Sequence, residues 1–221
     1  MANFPGLDVS NKVCLVTGGT SGIGRAIALG FAQAGAKVVA ASTNPDKVSA
    51  IKKELGGQHE ATTINVADGA SVSAAVDFAV NKFGRLDVMI NAAGVIKRQP
   101  SLEMSVEEFR RIVDVNLTGS FLVAQAAARV MKDQSPDTKG ERGNIIFIAS
   151  LNSYISLVEV LAYAASKSGV LGLVRGLANE WEQYNIRVNA IAPGVFPTDL
   201  NRPLIEGTER GKMLKWHTQT P

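Results

Sequence analysis

The stretch TGGTSGIG at 17–24, entered directly from the apolar run VCLVT at 13–17, restricts this chain's fold more than any other feature of it. An apolar run that short reads as a buried strand, and the residues after it take up a helical period at once, with Ile23, Ile27 and Phe31 at i, i+4 and i+8. A strand that turns straight into a helix needs glycines: for positive φ, for close approach of a phosphate to the backbone, and for packing of helix on sheet. The new helix then offers unpaired N–H groups and the positive end of its dipole to an anion. Gly18, Thr20, Ser21, Gly22, Ile23 and Gly24 are therefore candidate ligands of a dinucleotide pyrophosphate. A purely structural turn shares the composition, but the order of strand, turn and helix favours the nucleotide reading.

The rest of the chain repeats the alternation. Strands are expected at 37–41, 61–65, 86–91, 144–149 and 187–191, all parallel and buried like the first. Between them Val72, Val76, Val80 and Phe83 share one helical face, and a long helix over 161–184 carries Val170, Val174, Leu177 and Trp181 on another. This is an α/β pattern in one domain, 1–221, with the polar stretch 133–142 as a surface loop and 195–221 as a looser substrate-loop region holding a short helix at 202–216. With 46% hydrophobic residues the chain can bury such a core. One cysteine cannot form an internal disulfide, no Cys/His cluster has metal-ligand spacing, and neither a signal peptide nor an 18-residue apolar span is visible. The expectation is a cytoplasmic protein without metal. A net charge of +3, spread rather than grouped, gives no argument for nucleic acid or a membrane surface.

A dinucleotide site of this type expects an acid about 20 residues after the glycines to take the ribose hydroxyls. The second strand ends instead in Ala41, Ser42, Thr43 and Asn44. Those three polar side chains can hydrogen-bond either ribose, and neither an acid nor an Arg selects between NAD and NADP.

Candidate reacting groups follow. Tyr163 and Lys167 stand four apart in the long helix and share a face. A phenol with a pKa near 10 needs a neighbouring cation to exchange a proton at neutral pH, and Lys167 is the expected source. Ser150 ends the fifth strand, where parallel sheets deliver side chains to a ligand crevice, and its hydroxyl can hold a substrate oxygen. Singly each residue has an ordinary structural explanation; behind a dinucleotide loop the set points to an enzyme. His59, His217, Cys14, Met89 and Phe147 carry no such pattern.

In combination, TGGTSGIG at 17–24, NAAG at 91–94, VNLTG with Asn116, IAS with Ser150, YAASK with Tyr163 and Lys167, and NAIAPG at 189–194 resemble the short-chain dehydrogenase/reductase family over residues 12–198. The resemblance implies a Rossmann-like doubly wound parallel sheet and hydride transfer between NAD or NADP and an alcohol or carbonyl carbon. It implies Tyr163 as general acid or base, Lys167 as its tuner and ribose ligand, Ser150 as the orienter of the substrate oxygen, and Asn116 as the holder of a water in a proton relay. It further implies cofactor contacts from Asn65 and Val66 after the third strand, from Asn91, Ala92, Ala93 and Gly94 after the fourth, and from Pro193, Gly194, Val195 and Thr198 near the end. A homodimer or homotetramer packed through helices starting near Leu117 and Leu161 is implied too. In the family pattern a further helix and a seventh strand, about 30 residues, follow the point where this pattern stops, so the sixth strand is expected to have an open edge.

Within the family, AAGVIKRQP with Arg98, IASLNSY and PTDLNR resemble sugar-acid dehydrogenases acting on gluconate or 2-keto-3-deoxygluconate. A guanidinium at the crevice mouth is a sound carboxylate ligand, so Arg98, with Asn152, Asn201 or Arg202, is the expected reader of a sugar acid or polyol. The same catalytic set would serve a 3-oxoacyl thioester reductase, although the basic docking run that a carrier protein would want is absent. A dinucleotide-sensing or scaffolding protein is the non-enzymatic alternative, and it would not need Ser150, Tyr163 and Lys167 together.

Overall fold

The computed structural model describes residues 8–196, 198, 202, 209, 211 and 212. Among the described residues six parallel strands form one sheet: β1 Val13–Thr17, β2 Lys37–Ser42, β3 Glu60–Thr63, β4 Val88–Asn91, β5 Gly143–Ile148 and β6 Ile186–Ile191, in the order β3-β2-β1-β4-β5-β6. The order reverses between β1 and β4, whose last paired residues are Thr17 and Asn91. Chain connections leave these two strands in opposite directions, so a crevice opens beyond their carboxyl ends.

Helices α1 Gly22–Gln33 and α2 Pro45–Leu55 cover one face, and α3 Gly69–Phe83, α5 Gly119–Met131 and α6 Leu161–Trp181 cover the other. Alternate strand residues feed the two cores: Cys14, Val16, Val38, Ala40 and Ile90 face α1 and α2, while Leu15, Val39, Met89, Ile145 and Phe147 face α3, α5 and α6. Both faces of the central strands are therefore apolar, which is why those segments read as continuous hydrophobic runs.

The strand positions agree with the sequence reading to within two residues, but the outer strands are less buried than expected. β3 is half exposed along its length, and β6 alternates, with Ile186 and Val188 inside and Arg187, Asn189 and Ile191 outside or nearly so. Each has a single strand neighbour among the described residues. The buried stripe of α1 also differs, since Gly24 and Ala28 are the residues pressed onto the sheet, with Ile27 and Phe31 half-buried beside them. The loop after α5 is fastened by Asp137, which accepts from Lys12 Nζ at 2.7 Å; that ammonium holds its carboxyl down at about 2.

Helix α4 Val106–Val113, capped by Ser105, leads without a break through a π-helical turn, Asp114–Thr118, into α5. The extra residue of a π turn re-aims a side chain, and such turns gather at functional sites. Here it turns Asn116 inward, where it is wholly buried. The helix expected near Leu117 thus begins eleven residues earlier. The segment expected as a helix at 202–216, together with Asn201 and His217, lies largely outside the described residues.

Candidate active site

The glycine turn leaves β1 at the crevice floor. Gly18 has φ +68°, and a side-chain carbon there would stand 2.7 Å from the backbone carbon of Ala92 and from the nitrogen of Ala93. Only a bare backbone lets this turn and the loop after β4 lie together. A carbon on Gly24 would strike the Gly18 carbonyl and stand 3.1 Å from Ala92 Cβ. The N-cap residue of α1 also differs from those of the next three helices. Asn44 caps α2, Asp68 caps α3 and Ser105 caps α4 through their side chains, whereas Ser21 makes no side-chain cap on α1. Uncapped N–H groups at a helix start, approached over bare backbone, fit a dinucleotide pyrophosphate.

Beyond the turn lies a crevice of about 260 Å³. Its cofactor side is formed by Gly18, Ser21, Gly22, Ile23 and Gly24 together with Ala92, Ala93 and Gly94. The opposite side brings in Ser150, Asn152, Tyr163 and Lys167, and Pro193, Gly194, Val195 and Thr198 border the same space. Ser150 leads a short 3-10 turn, Leu151–Ser153, in which its Oγ accepts from Asn152 N at 3.1 Å and its own N–H donates to Ser153 Oγ at 3.2 Å. Ser153 Oγ in turn donates to the Lys167 carbonyl at 2.8 Å, so the serine turn is fastened to the helix that carries Tyr163.

The two ionisable groups are shifted by burial in opposite senses. The Tyr163 phenol is pushed up by desolvation, against a hydrogen bond with Ser150 that lowers it. The Lys167 ammonium is pushed down to about 8 by desolvation. At the phenol of the protein alone, burial is the larger effect. Nζ donates to the Ile148 carbonyl at 2.6 Å and lies over the tyrosine ring, 5.8 Å from its centre. With the ammonium turned to the β5 carbonyl, burial dominates at the phenol.

Behind the crevice runs a buried polar chain. Thr17 Oγ1 donates to Asn91 Oδ1, Asn91 Nδ2 donates to Ser120 Oγ at 2.7 Å, and Ser120 Oγ donates to the Asn116 carbonyl at 2.6 Å. The Asn116 side chain accepts from Val95 N at 2.8 Å and donates to Val95 O at 2.9 Å and to Ser166 Oγ at 3.0 Å. Both amide hydrogens of Asn116 are thereby used in clamping the loop after β4 to α6. Asn91 likewise holds the sheet to α5 from below the crevice.

Other expected positions fall elsewhere. Thr20 borders an adjoining cleft with Arg25, Lys47, Glu54 and Arg202. Ser42, at the tip of β2, buries a hydroxyl with no hydrogen-bond partner, while Asn44 spends its Oδ1 on Lys47 N; Thr43, between them, is exposed. Asn65 bonds within its own loop to Ala67 N, and Val66 is buried against Gly119. Arg98 is not brought to the crevice; its guanidinium pairs with Glu159, which has φ +66° and whose carbonyl also accepts from Gln99 N. Sequence reading missed Ile96, Leu151, Leu157, Val160 and Phe196, which wall the reacting end. These residues lie in loops or at a helix start, where no hydrophobic period exists to reveal them. Ser120 and Ser166 were missed as well, although Ser166 is adjacent to Lys167. Among the described residues no His, Cys, Asp or Glu cluster could hold a metal, and no helix is long and apolar enough to cross a membrane.

A family model described as short chain dehydrogenase matches residues 12–209. The chain belongs to this family. It is accordingly an NAD(P)-dependent oxidoreductase acting on CH–OH groups, with the choice between the two cofactors open. It is 39% identical over 210 residues to a D-threitol dehydrogenase of Mycolicibacterium smegmatis, covering 94% of this chain and 78% of that one. It is 35% identical over 208 residues to a 2-dehydro-3-deoxy-D-gluconate 5-dehydrogenase of Dickeya dadantii, covering 94% and 80%. A solved short-chain type dehydrogenase/reductase from Mycobacterium marinum superposes with a TM-score of 0.84 at 37% identity, over 89% of this chain and 78% of that structure.

Proposed function

We propose that this short-chain dehydrogenase interconverts a secondary hydroxyl and a ketone on a polyol or sugar acid, with Tyr163 as the proton-exchanging group. The observation that carries the reading is the meeting of Ser150, Tyr163 and Lys167 across one crevice from a helix start on which Ser21 makes no side-chain cap. NAD or NADP, when bound, supplies the two-electron acceptor or donor. Ser150 and Tyr163 hold the substrate oxygen between their hydroxyls. In the oxidising direction the phenolate of Tyr163 takes the O–H proton as the C–H hydride departs and the C=O bond forms; reduction runs the same transfers backwards. Lys167 lies over the ring and supplies positive charge when protonated.

Asn116 acts in this reading by holding the loop around Val95 and the π turn in place, and the relay water is assigned to its neighbourhood. Ser42 offers its buried hydroxyl, with Thr43 and Asn44 beside it, to the adenosine ribose; Asn65 and Val66 border the adenine. A dimer or tetramer of the chain is the proposed assembly. The test offers the purified protein polyols, aldonates, ketoaldonates and acetoacetyl thioesters with each cofactor and follows reduced-nicotinamide absorbance. Turnover of a polyol or sugar acid is expected, and binding of the dinucleotide with no turnover of any compound would overturn the reading.

A further inference from the structure

Among the described residues, the reacting end of the crevice has one polar side chain not engaged by the proposed chemistry. Asn152, two residues after Ser150, is nine-tenths buried and borders the crevice. Its Oδ1 accepts from Leu157 N at 3.1 Å, which fixes the orientation of the carboxamide, and among the described residues its Nδ2 donates to no protein atom. Ile96, Leu151, Leu157 and Val160, all apolar, line the same crevice. Among the described residues of this wall Lys167 is the sole charged side chain, and its ammonium is held by the Ile148 carbonyl. Arg98, two residues after Ile96, is paired with Glu159, and neither lines the crevice.

A carboxylate placed here would lose its water and meet, among the described residues, no cation but Lys167, whose ammonium already donates to the Ile148 carbonyl, a costly exchange. A neutral oxygen would gain the Asn152 amide, a donor that no other described residue uses. We propose that the crevice takes an uncharged vicinal diol or its α-hydroxyketone, and that Asn152 is the specificity residue that donates to the oxygen next to the reacting one. The inference rests on the dehydrogenase reading above and chooses the polyol over the sugar acid.

Matched pairs test it: D-threitol against D-threonate, and propane-1,2-diol against lactate, each with the preferred cofactor. The uncharged member of each pair is expected to have a kcat/KM higher by about 30-fold or more. Equal values, or a preference for the carboxylate, would overturn this inference and leave the dehydrogenase reading intact. Asn152→Asp separates specificity from folding, because it keeps the acceptor for Leu157 N and removes the donor. The ratio of kcat/KM for butane-2,3-diol to that for butan-2-ol is expected to fall about tenfold or more, through KM; an unchanged ratio would refute the role. A binding arm does not depend on turnover. With reduced nicotinamide present, isobutyramide should bind about tenfold tighter than isobutyrate, read by nicotinamide fluorescence. Isobutyrate binding as tightly, or neither compound binding, would overturn the proposal.

Discussion

Replacing Gly24 by Ala tests the glycine turn at its tightest point. The added carbon would stand 2.8 Å from the Gly18 carbonyl carbon and closer still to its oxygen. Non-bonded contacts relax to about 3.5 Å from carbon and about 3.2 Å from oxygen, so the first turn of α1 must move by about 1 Å to clear the oxygen. Overpacking of that size costs about 1–3 kcal/mol. The helix preference for Ala over Gly offsets up to about 1 kcal/mol of this. Gly30→Ala measures the offset alone, because Gly30 is an exposed residue of the same helix with nothing within 4 Å of the added carbon. The two variants should therefore differ in Tm by roughly 3–10 °C for a chain of this size, with Gly30→Ala the more stable. Dinucleotide binding, followed by quenching of intrinsic fluorescence, should weaken about tenfold or more in Gly24→Ala, because the helix-start N–H groups shift with the backbone. Gly30→Ala should bind within about twofold of the parent protein. Gly24→Ala with parental Tm and dinucleotide affinity would refute the claim that close backbone approach dictates glycine here.

Ser120→Ala removes the acceptor of Asn91 Nδ2 and the donor to the Asn116 carbonyl, both buried; chemical denaturation should show a loss of about 2–4 kcal/mol. Lys167 has a folded pKa lowered to about 8 against 10.5, so the unfolded chain binds the extra proton between those values and stability from this group rises with pH across that window. Lys167→Met should abolish a component of up to about 1.4 kcal/mol per pH unit there, measured as the parent-minus-variant difference in unfolding free energy from pH 8 to 10. An unchanged difference would mean that the lysine is not desolvated. Arg98 and Glu159 form a partly exposed pair, and a double-mutant cycle with Arg98→Met and Glu159→Gln should give a coupling under about 1 kcal/mol.

The central strands β1, β2, β4 and β5 were legible because both their faces are covered and they carry nearly continuous apolar runs, and β6 because its buried residues alternate with exposed ones. β3 was placed one to two residues late, since its sequence EATT has little apolar content and its pairing with β2 decides its bounds. Gly18 and Gly24 could be read in advance because strand, turn and helix follow one another without a gap. The convergence of Ser150 with Tyr163 and Lys167 was legible as residues but not as electrostatics. Nothing in a four-residue spacing says that Nζ will seek the Ile148 carbonyl. Arg98 was misplaced for a similar reason: its partner Glu159 is 61 positions away, in a loop whose path the sequence does not specify. The apolar wall and the amide of Asn152 became visible only when three loops were brought together.

The central claim is that the phenol of Tyr163 exchanges the proton in a crevice that binds the dinucleotide independently of it. Single-turnover hydride transfer, followed by nicotinamide absorbance with Tyr163→Phe beside the parent enzyme, tests it most directly. The rate should fall by about 10²–10⁴ while the glycine turn keeps dinucleotide binding measurable. Hydride transfer at the parental rate in Tyr163→Phe would contradict the account.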